Sequence, residues 1–469
     1  MEKDEFRRWG HEMVDWIADY LEDVEDYPVN PDVDPGDIKD NISSSPPQEG
    51  EDMEEIWQDF QDDIMPGITH WQHPGWFAYF PCNNSYPSIL GELLSAGLGI
   101  QGMVWATSPA AEELEEQVMD WLRDLLLLPA EFRGVIQDTA STSTFCALLT
   151  AREDATDFNS NYEGVPNHLR VYATAQTHSS IEKGVRLAGY GSENIVEIDD
   201  DDEFAMKPED LRKAIQDDRR EGKKPTCVVA TIGTTASTAI DPLLEIGKIC
   251  QEEDVWLHVD AAFAGTAAIL EERRDLLEGS EYMDSFVFNP HKWMVTNFDC
   301  SAYFVRDPKK LIKTMTIDPE YLKTAYDDEV NNYRNWGIQL GRRFRALKLW
   351  FVLRSYGVEG IKSMVRRHLE LAGNFRDWIE ESGEFELMAP VNLSMVCFRW
   401  NDGTYAEEEL NEINRQLLDR INSSGDVYLS HSELAGKFTL RLVVAQRSTE
   451  DRHVEKARRI IREAAAEII

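Results

Sequence analysis

The sequence is short of paired cysteines, of long apolar runs and of positive charge, and each shortage excludes something. Its six cysteines (Cys82, Cys146, Cys227, Cys250, Cys300, Cys397) include no Cys-x-x-Cys pair and lie among apolar or small neighbours. They read as reduced core residues rather than as a disulfide framework or a metal site, so no metal is expected. The longest apolar stretch, Ala261 to Leu270, is far below the roughly 18 to 20 residues of a membrane span, so no transmembrane helix is expected. The start, Met1-Glu2-Lys3-Asp4-Glu5, lacks the order of a secretory leader, which makes a cytoplasmic protein the expectation. Only 47 Lys and Arg stand against 87 Asp and Glu, a net charge of −40. Nucleic acid and anionic membranes should repel such a chain. The acids are spread along its whole length, which also suits a surface adapted to high salt, where screening removes self-repulsion.

What is present is an alternating pattern. Over the first ~60 residues Phe6, Met13, Trp16, Ile17, Tyr20 and Leu21 recur at helical spacing, and a second amphipathic stretch covers about 51–64. So short a helical prelude cannot bury its own apolar faces and should pack elsewhere, a partner subunit included. Ser108-Pro109 reads as an N-cap with proline at the first helical position, and Leu114, Val118, Leu122 and Leu125 mark the buried face that follows. From there helices alternate with short apolar runs at 170–173, 226–232, 255–259 and 285–288, which predicts an α/β domain with a mainly parallel sheet. After about Phe351 come a long helical region and candidate strands at 393–400, 427–430 and 438–443, a smaller α+β unit. The expected division is 1–81 as an N-terminal helical segment, 82–350 as the large domain and 351–469 as the small one.

Chemistry-bearing residues fall at the ends of the candidate strands. Strand 255–259 runs into Asp260 and the mostly small residues Ala261-Ala262-Phe263-Ala264-Gly265, and strand 285–288 into Asn289-Pro290-His291-Lys292-Trp293. In an open parallel sheet, ligands bind beyond the carboxyl ends of the strands. Alone, Asp260 reads as a helix N-cap and Lys292 as a surface lysine. Together they supply a carboxylate for a pyridinium nitrogen and an amine for an aldehyde, the pair that pyridoxal 5′-phosphate (PLP) requires. The hydroxyl-rich stretch 137–144 ahead of an apolar helix start offers a phosphate site. His178 follows a further candidate strand.

With these residues in view, the sequence resembles the PLP-dependent aromatic L-amino acid decarboxylases, the group II decarboxylases. The resemblance rests on HPGWFAYFPCNNSY (73–86), WATSPAAEEL (105–114), WLHVDAAFAG (256–265), NPHKW (289–293), DPEYL (318–322), LGRRF (340–344) and KFTLR (437–441), in family order along nearly the whole chain. It implies PLP fold type I and a homodimer with N-terminal helices packed across the interface. It also implies Lys292 as the Schiff-base lysine and Asp260 as the pyridinium partner. Ala140, Ser141, Asn289 and His291 would surround the phosphate, with His178 stacked on the ring, Ala262 beneath it and Thr235 nearby. Tyr321 would return a proton to the substrate carbon after CO₂ leaves. Trp71, Tyr79, Phe80 and Pro81 would line the aromatic pocket, with Gly341 leaving room for bulky rings such as indole.

Three departures qualify the likeness: Asp138-Thr139 replace the usual small pair before Ala140, Cys82 replaces a frequent threonine, and the stretch from Tyr321 to Tyr333 is slightly short. The expected activity is decarboxylation of tryptophan, tyrosine or DOPA to an arylalkylamine. The alternatives are an aromatic aldehyde synthase, an acidic-amino-acid decarboxylase, or a non-catalytic subunit of the same fold.

Overall fold

The computed structural model describes residues 1–317, 326 and 329–468. Seven strands form one sheet: β1 (Arg133–Gln137), β2 (Leu169–Thr174), β3 (Ile195–Ile198), β4 (Lys224–Thr231), β5 (Trp256–Asp260), β6 (Ser285–Phe288) and β7 (Ser301–Val305). Their order is β1-β7-β6-β5-β4-β2-β3. The run from β6 to β3 is parallel, and β7 lies antiparallel to both β6 and β1. The central strands β4, β5 and β6 are buried almost throughout, which is why they read as apolar runs rather than as alternation.

A second, antiparallel sheet holds β8 (Phe385–Leu387), β9 (Met395–Trp400), β10 (Ser430–Leu434) and β11 (Lys437–Val443), in the order β10-β11-β9-β8. The expected strand at 427–430 is displaced: only Ser430 belongs to β10, while Tyr428 makes an isolated bridge to Trp76 and stacks on its ring at 5.1 Å. That bridge has a use. Phe77 N–H donates to Tyr428 O and Val443 N–H to Phe77 O, so segment 75–79 is tied to the small sheet before the chain turns toward the large one. The long helix Arg345–Ser382, broken at Gly357 where φ is 64°, spans between the two cores.

At the amino end, the Lys3–Glu22 helix buries Trp9 and Leu21 and joins an aromatic cluster of Trp16, Tyr20, Trp57 and Phe60. Phe6 and Val14 stay exposed. The six cysteines are free, and no described helix is long and apolar enough to cross a membrane.

One buried carboxyl stands out in the Pro109–Leu125 helix. Glu112 is 3% exposed; Oε2 accepts the Tyr333 N–H at 3.0 Å and Oε1 has no partner. Burial, with Glu115 and Glu116 nearby, pushes its pKa from 4.5 up to about 8, against the opposing pull of the Tyr333 N–H and Arg342. The native state therefore holds a proton that the unfolded chain releases, so this group's contribution to stability falls as pH rises from about 4.5 and is fully lost above about 8. Glu112→Gln keeps an acceptor for Tyr333 and abolishes the titration. Its unfolding free energy from urea titration is expected to exceed wild type at pH 8.5 by on the order of a few kcal/mol, with the gap closing toward pH 5. A gap independent of pH would assign the effect to packing instead.

Candidate functional site

The carboxyl edge of the parallel strands opens into a cavity of about 200 Å³. Strand β5 delivers Asp260, whose Oδ1 accepts the Ala262 N–H at 2.9 Å and so fixes the turn beneath the site. Strand β6 delivers Asn289, His291 and Lys292, in a turn closed by Lys292 N–H to Asn289 O. Between β1 and the Ala140–Ala155 helix the chain contributes Thr139, Ala140 and Ser141. Thr139 is the N-cap, its hydroxyl accepting the Thr142 N–H at 3.4 Å. The first helical N–H groups, those of Ala140 and Ser141, have no carbonyl one turn earlier to bond, so they face outward with the positive end of the helix dipole. The helix is pinned to the sheet by Thr144 to His258 Nε2 (3.0 Å) and Ser143 to Ser301 (3.1 Å).

Asp138, a negative charge just ahead of the candidate phosphate site, is not part of the cavity wall. Its Oδ1 accepts the Thr139 N–H at 2.6 Å and its Oδ2 the Gln339 side chain at 3.1 Å, so the carboxylate is engaged away from the free N–H groups.

The ionisation states are set by burial. Desolvation draws the Lys292 ammonium below the usual lysine range, with Asp260 pulling the other way, and its Nζ sits 5.0 Å from the Phe80 ring. His178 is also lowered, first by burial and then by Lys292, against the opposing charge of Asp260. Its Nδ1 accepts the Ser180 N–H at 3.2 Å, which leaves the proton of the neutral ring on Nε2. His291 is pushed down to about 3 by burial and by the neighbouring Lys292 charge. Its Nδ1 takes the Cys300 N–H at 2.9 Å, so its proton too is on Nε2.

The structure brings Ala140, Ser141, His178, Thr235, Asp260, Ala262, Asn289, His291, Lys292 and Phe80 to one cavity. It places the other expected residues elsewhere. Trp71 and Tyr79 stack on each other at 6.0 Å and Pro81 is buried, all outside the cavity wall. Gly341 lies against Gln101, where an added Cβ would come within 3.1 Å of its amide. Tyr321 lies outside the described residues.

Thr231, Gly233, Ser180 and Phe263 also line the cavity and were not singled out from sequence. Gly233 carried a readable signal: at φ 82°, with an added Cβ falling 2.9 Å from that of Ala264, only glycine lets the loop after β4 pass so close. Arg441 on β11 carried only its place at the end of KFTLR and was given no role there. It is 3% exposed, donates through Nη1 to Ser430 Oγ at 2.9 Å, and leaves Nε and Nη2 without partners. Its guanidinium stands 5.9 Å from Phe80, the same ring that Lys292 approaches.

This donor set fits PLP. A ring with an anionic tail would meet free helix N–H groups, two unpartnered buried oxygens (Thr231 Oγ1 and Asn289 Oδ1), a carboxylate at Asp260 and a desolvated amine at Lys292. Comparison with known proteins agrees. The pyridoxal-dependent decarboxylase conserved domain matches residues 35–401. Tryptophan decarboxylase 2 of Oryza sativa subsp. japonica is 42% identical, over 100% of this chain and 96% of its own length. Phenylacetaldehyde synthase of Arabidopsis thaliana is also 42% identical, over 100% and 97%. The crystal structure of Oryza sativa TDC with PLP and tryptamine superposes with a TM-score of 0.97 at 37% identity, covering 100% of this chain and 99% of that one.

Proposed function

Because this chain belongs to the pyridoxal-dependent decarboxylase family, we propose that it uses the Lys292 cavity to convert an aromatic L-amino acid to its arylalkylamine and CO₂. The cofactor is PLP. The observation that carries the reading is the meeting of Lys292, Asp260 and the free end of the Ala140–Ala155 helix in one cavity.

When bound, PLP supplies an aldehyde that condenses with amines and a pyridinium ring that accepts the electron pair CO₂ leaves behind. The chain supplies the rest. The Ala140 and Ser141 N–H groups, with Asn289 and His291, are assigned to the phosphate. Asp260 holds a proton on the ring nitrogen, since a carboxylate there favours the charged form. Lys292, whose ammonium desolvation disfavours, would be the amine that captures the cofactor and later displaces the product. His178, neutral with its proton on Nε2, flanks the ring. Tyr321 is assigned to the proton delivered to the substrate carbon.

Arg441 is assigned to recognition. A buried guanidinium without a carboxylate is costly, and the substrate carboxylate is an anion that would relieve it. A charge-assisted hydrogen bond is worth about 1.5–3 kcal/mol. Arg441→Met is therefore expected to raise KM for the amino acid by about 10- to 100-fold, with a smaller change in kcat and no change in the cofactor's visible absorbance. A KM equal to wild type would remove the arginine from recognition.

A homodimer and a cytoplasmic location belong to the same proposal. The Tyr86–Leu98 helix exposes Leu90, Leu93, Leu94 and Leu98 along one face, which suits a second copy of the chain, and six free thiols suit a reducing compartment. Leu94→Glu is expected to shift the mass measured by light scattering from dimer toward monomer.

The activity is tested by measuring amine release from tryptophan, tyrosine, phenylalanine, DOPA and glutamate side by side. Release from glutamate alone, or from none, would overturn the reading.

A further inference from the structure

A second cavity, of about 490 Å³, lies behind the turn that carries Lys292. Its floor is apolar, with Leu21, Val295, Ile361 and Met364, and its rim carries arginines. Arg452 is spent: it pairs with Glu25 and Glu450. Arg367 and Arg447 are not. Neither has a carboxylate partner among the described residues, in a chain with 87 acidic side chains to choose from. Arg447 Nε is buried without a hydrogen-bond partner among the described residues, while Arg367 Nη2 donates to the Arg447 backbone carbonyl at 3.0 Å, and both residues line the cavity. The Arg447 guanidinium also lies 5.6 Å from the Tyr86 ring.

The cavity is wired to the active site by one side chain. Asn83 Oδ1 accepts the Arg447 N–H at 2.9 Å, while its Nδ2 donates to Lys292 O and to Ala445 O, each at 2.7 Å. A second link is Val295, three residues beyond Lys292, whose carbonyl accepts the Ser85 hydroxyl at 2.8 Å. Its φ of 45° is a costly conformation for a β-branched residue. A ligand pressing on Val295 or drawing on Arg447 therefore acts on the backbone that positions the reactive amine.

We propose that this cavity is a regulatory site for a small organic monoanion, a carboxylate with an aryl or alkyl body. Two guanidiniums on one cavity wall, neither with a carboxylate partner among the described residues, suit a carboxylate, and the apolar floor takes the body. The volume lies within the range of small-molecule sites. Glu22, Glu25 and Glu450 on the rim disfavour more highly charged anions such as phosphate esters.

The binding claim stands independently of the activity proposed above, and only its kinetic readout rests on that activity. Holoenzyme is titrated calorimetrically with 3-phenylpropionate, which lacks the amino group needed to react, with and without a competing aromatic amino acid. The expected result is one binding event per chain that the amino acid does not displace, accompanied by a change in the cofactor's visible band. Arg447→Gln and, on the exposed helix face, Arg367→Gln should each weaken that event about tenfold or more while leaving turnover without the probe unchanged. Purely competitive binding, or undiminished second-site affinity in both variants, would overturn the proposal. So would a partner subunit's side chain filling the cavity in a crystal of the holoenzyme. If neither wild type nor variants release amine while the second event persists, the proposed activity fails and the site stands.

Discussion

Replacing Lys292 with alanine leaves a folded protein that still takes up the cofactor but has lost amine formation by at least about 10³-fold. The expectation of a fold left intact comes from what Lys292 touches. Its backbone N–H closes the turn with Asn289 and its carbonyl accepts from Asn83, and alanine preserves both. The side chain itself contributes a cation near the Phe80 ring and an ammonium that burial already disfavours. Removing it relieves a desolvation cost and removes the only lysine on the cavity wall among the described residues. The phosphate contacts assigned to Ala140, Ser141, Asn289 and His291 do not involve it, so cofactor uptake should survive, without the visible band that borohydride removes from wild type. Two measurements check this: the absorbance of the variant with added PLP, and amine release under substrate saturation. Turnover within tenfold of wild type would sink the assignment of Lys292 and with it the reading of the cavity.

How much of this was legible in the sequence depended on where each residue's role resides. Asp260 and Lys292 follow short apolar runs directly, so the rule that sites lie past the carboxyl ends of parallel strands was enough to pair them. Strands β1 and β7 escaped. They are five residues each, they pair antiparallel with each other, and no helix separates β6 from β7, so the alternation that revealed β4, β5 and β6 is missing there. Strand β3 escaped because Ile195–Ile198 is only partly buried and its apolar signal is diluted by Glu197.

Arg441 shows the sharper limit. In sequence it closes the KFTLR segment, but the strand pattern alone does not separate it from a solvated arginine. Its significance is that no carboxylate among the described residues reaches it, a property of the fold rather than of the local sequence. Arg399, on the neighbouring strand β9, is as deeply buried and pairs with both Glu386 and Glu407. The contrast between two buried arginines on adjacent strands, one with carboxylate partners and one without any among the described residues, is what singles out Arg441 for the recognition role proposed above. Arg447 and Arg367 were hidden for the same reason: their lack of a carboxylate partner among the described residues is visible only after the chain has folded.

Tyr321→Phe is expected to redirect the reaction rather than to stop it. Relatives at 42% identity include both a decarboxylase and an aldehyde synthase, so overall similarity does not separate the two outcomes. They diverge after CO₂ has left, when the carbon that carried it either takes a proton and yields amine or meets dioxygen and is oxidised. In the second course dioxygen is reduced to hydrogen peroxide, and water supplies the carbonyl oxygen of the aldehyde as ammonia departs. Whichever arrives first decides the product. A positioned phenol supplies the proton without waiting for solvent, an advantage commonly worth about 10² to 10⁴ in rate. Phenylalanine keeps the ring and removes only the hydroxyl. The variant should therefore retain the cofactor band and CO₂ release, lose most of its amine, and under air produce aromatic aldehyde, ammonia and hydrogen peroxide in equal amounts. Under nitrogen the aldehyde should vanish and slow amine formation return, because solvent then has no competitor. Wild-type amine yield from the phenylalanine variant under air would refute the proton-delivering role, since a residue that only packs its segment is served as well by either ring.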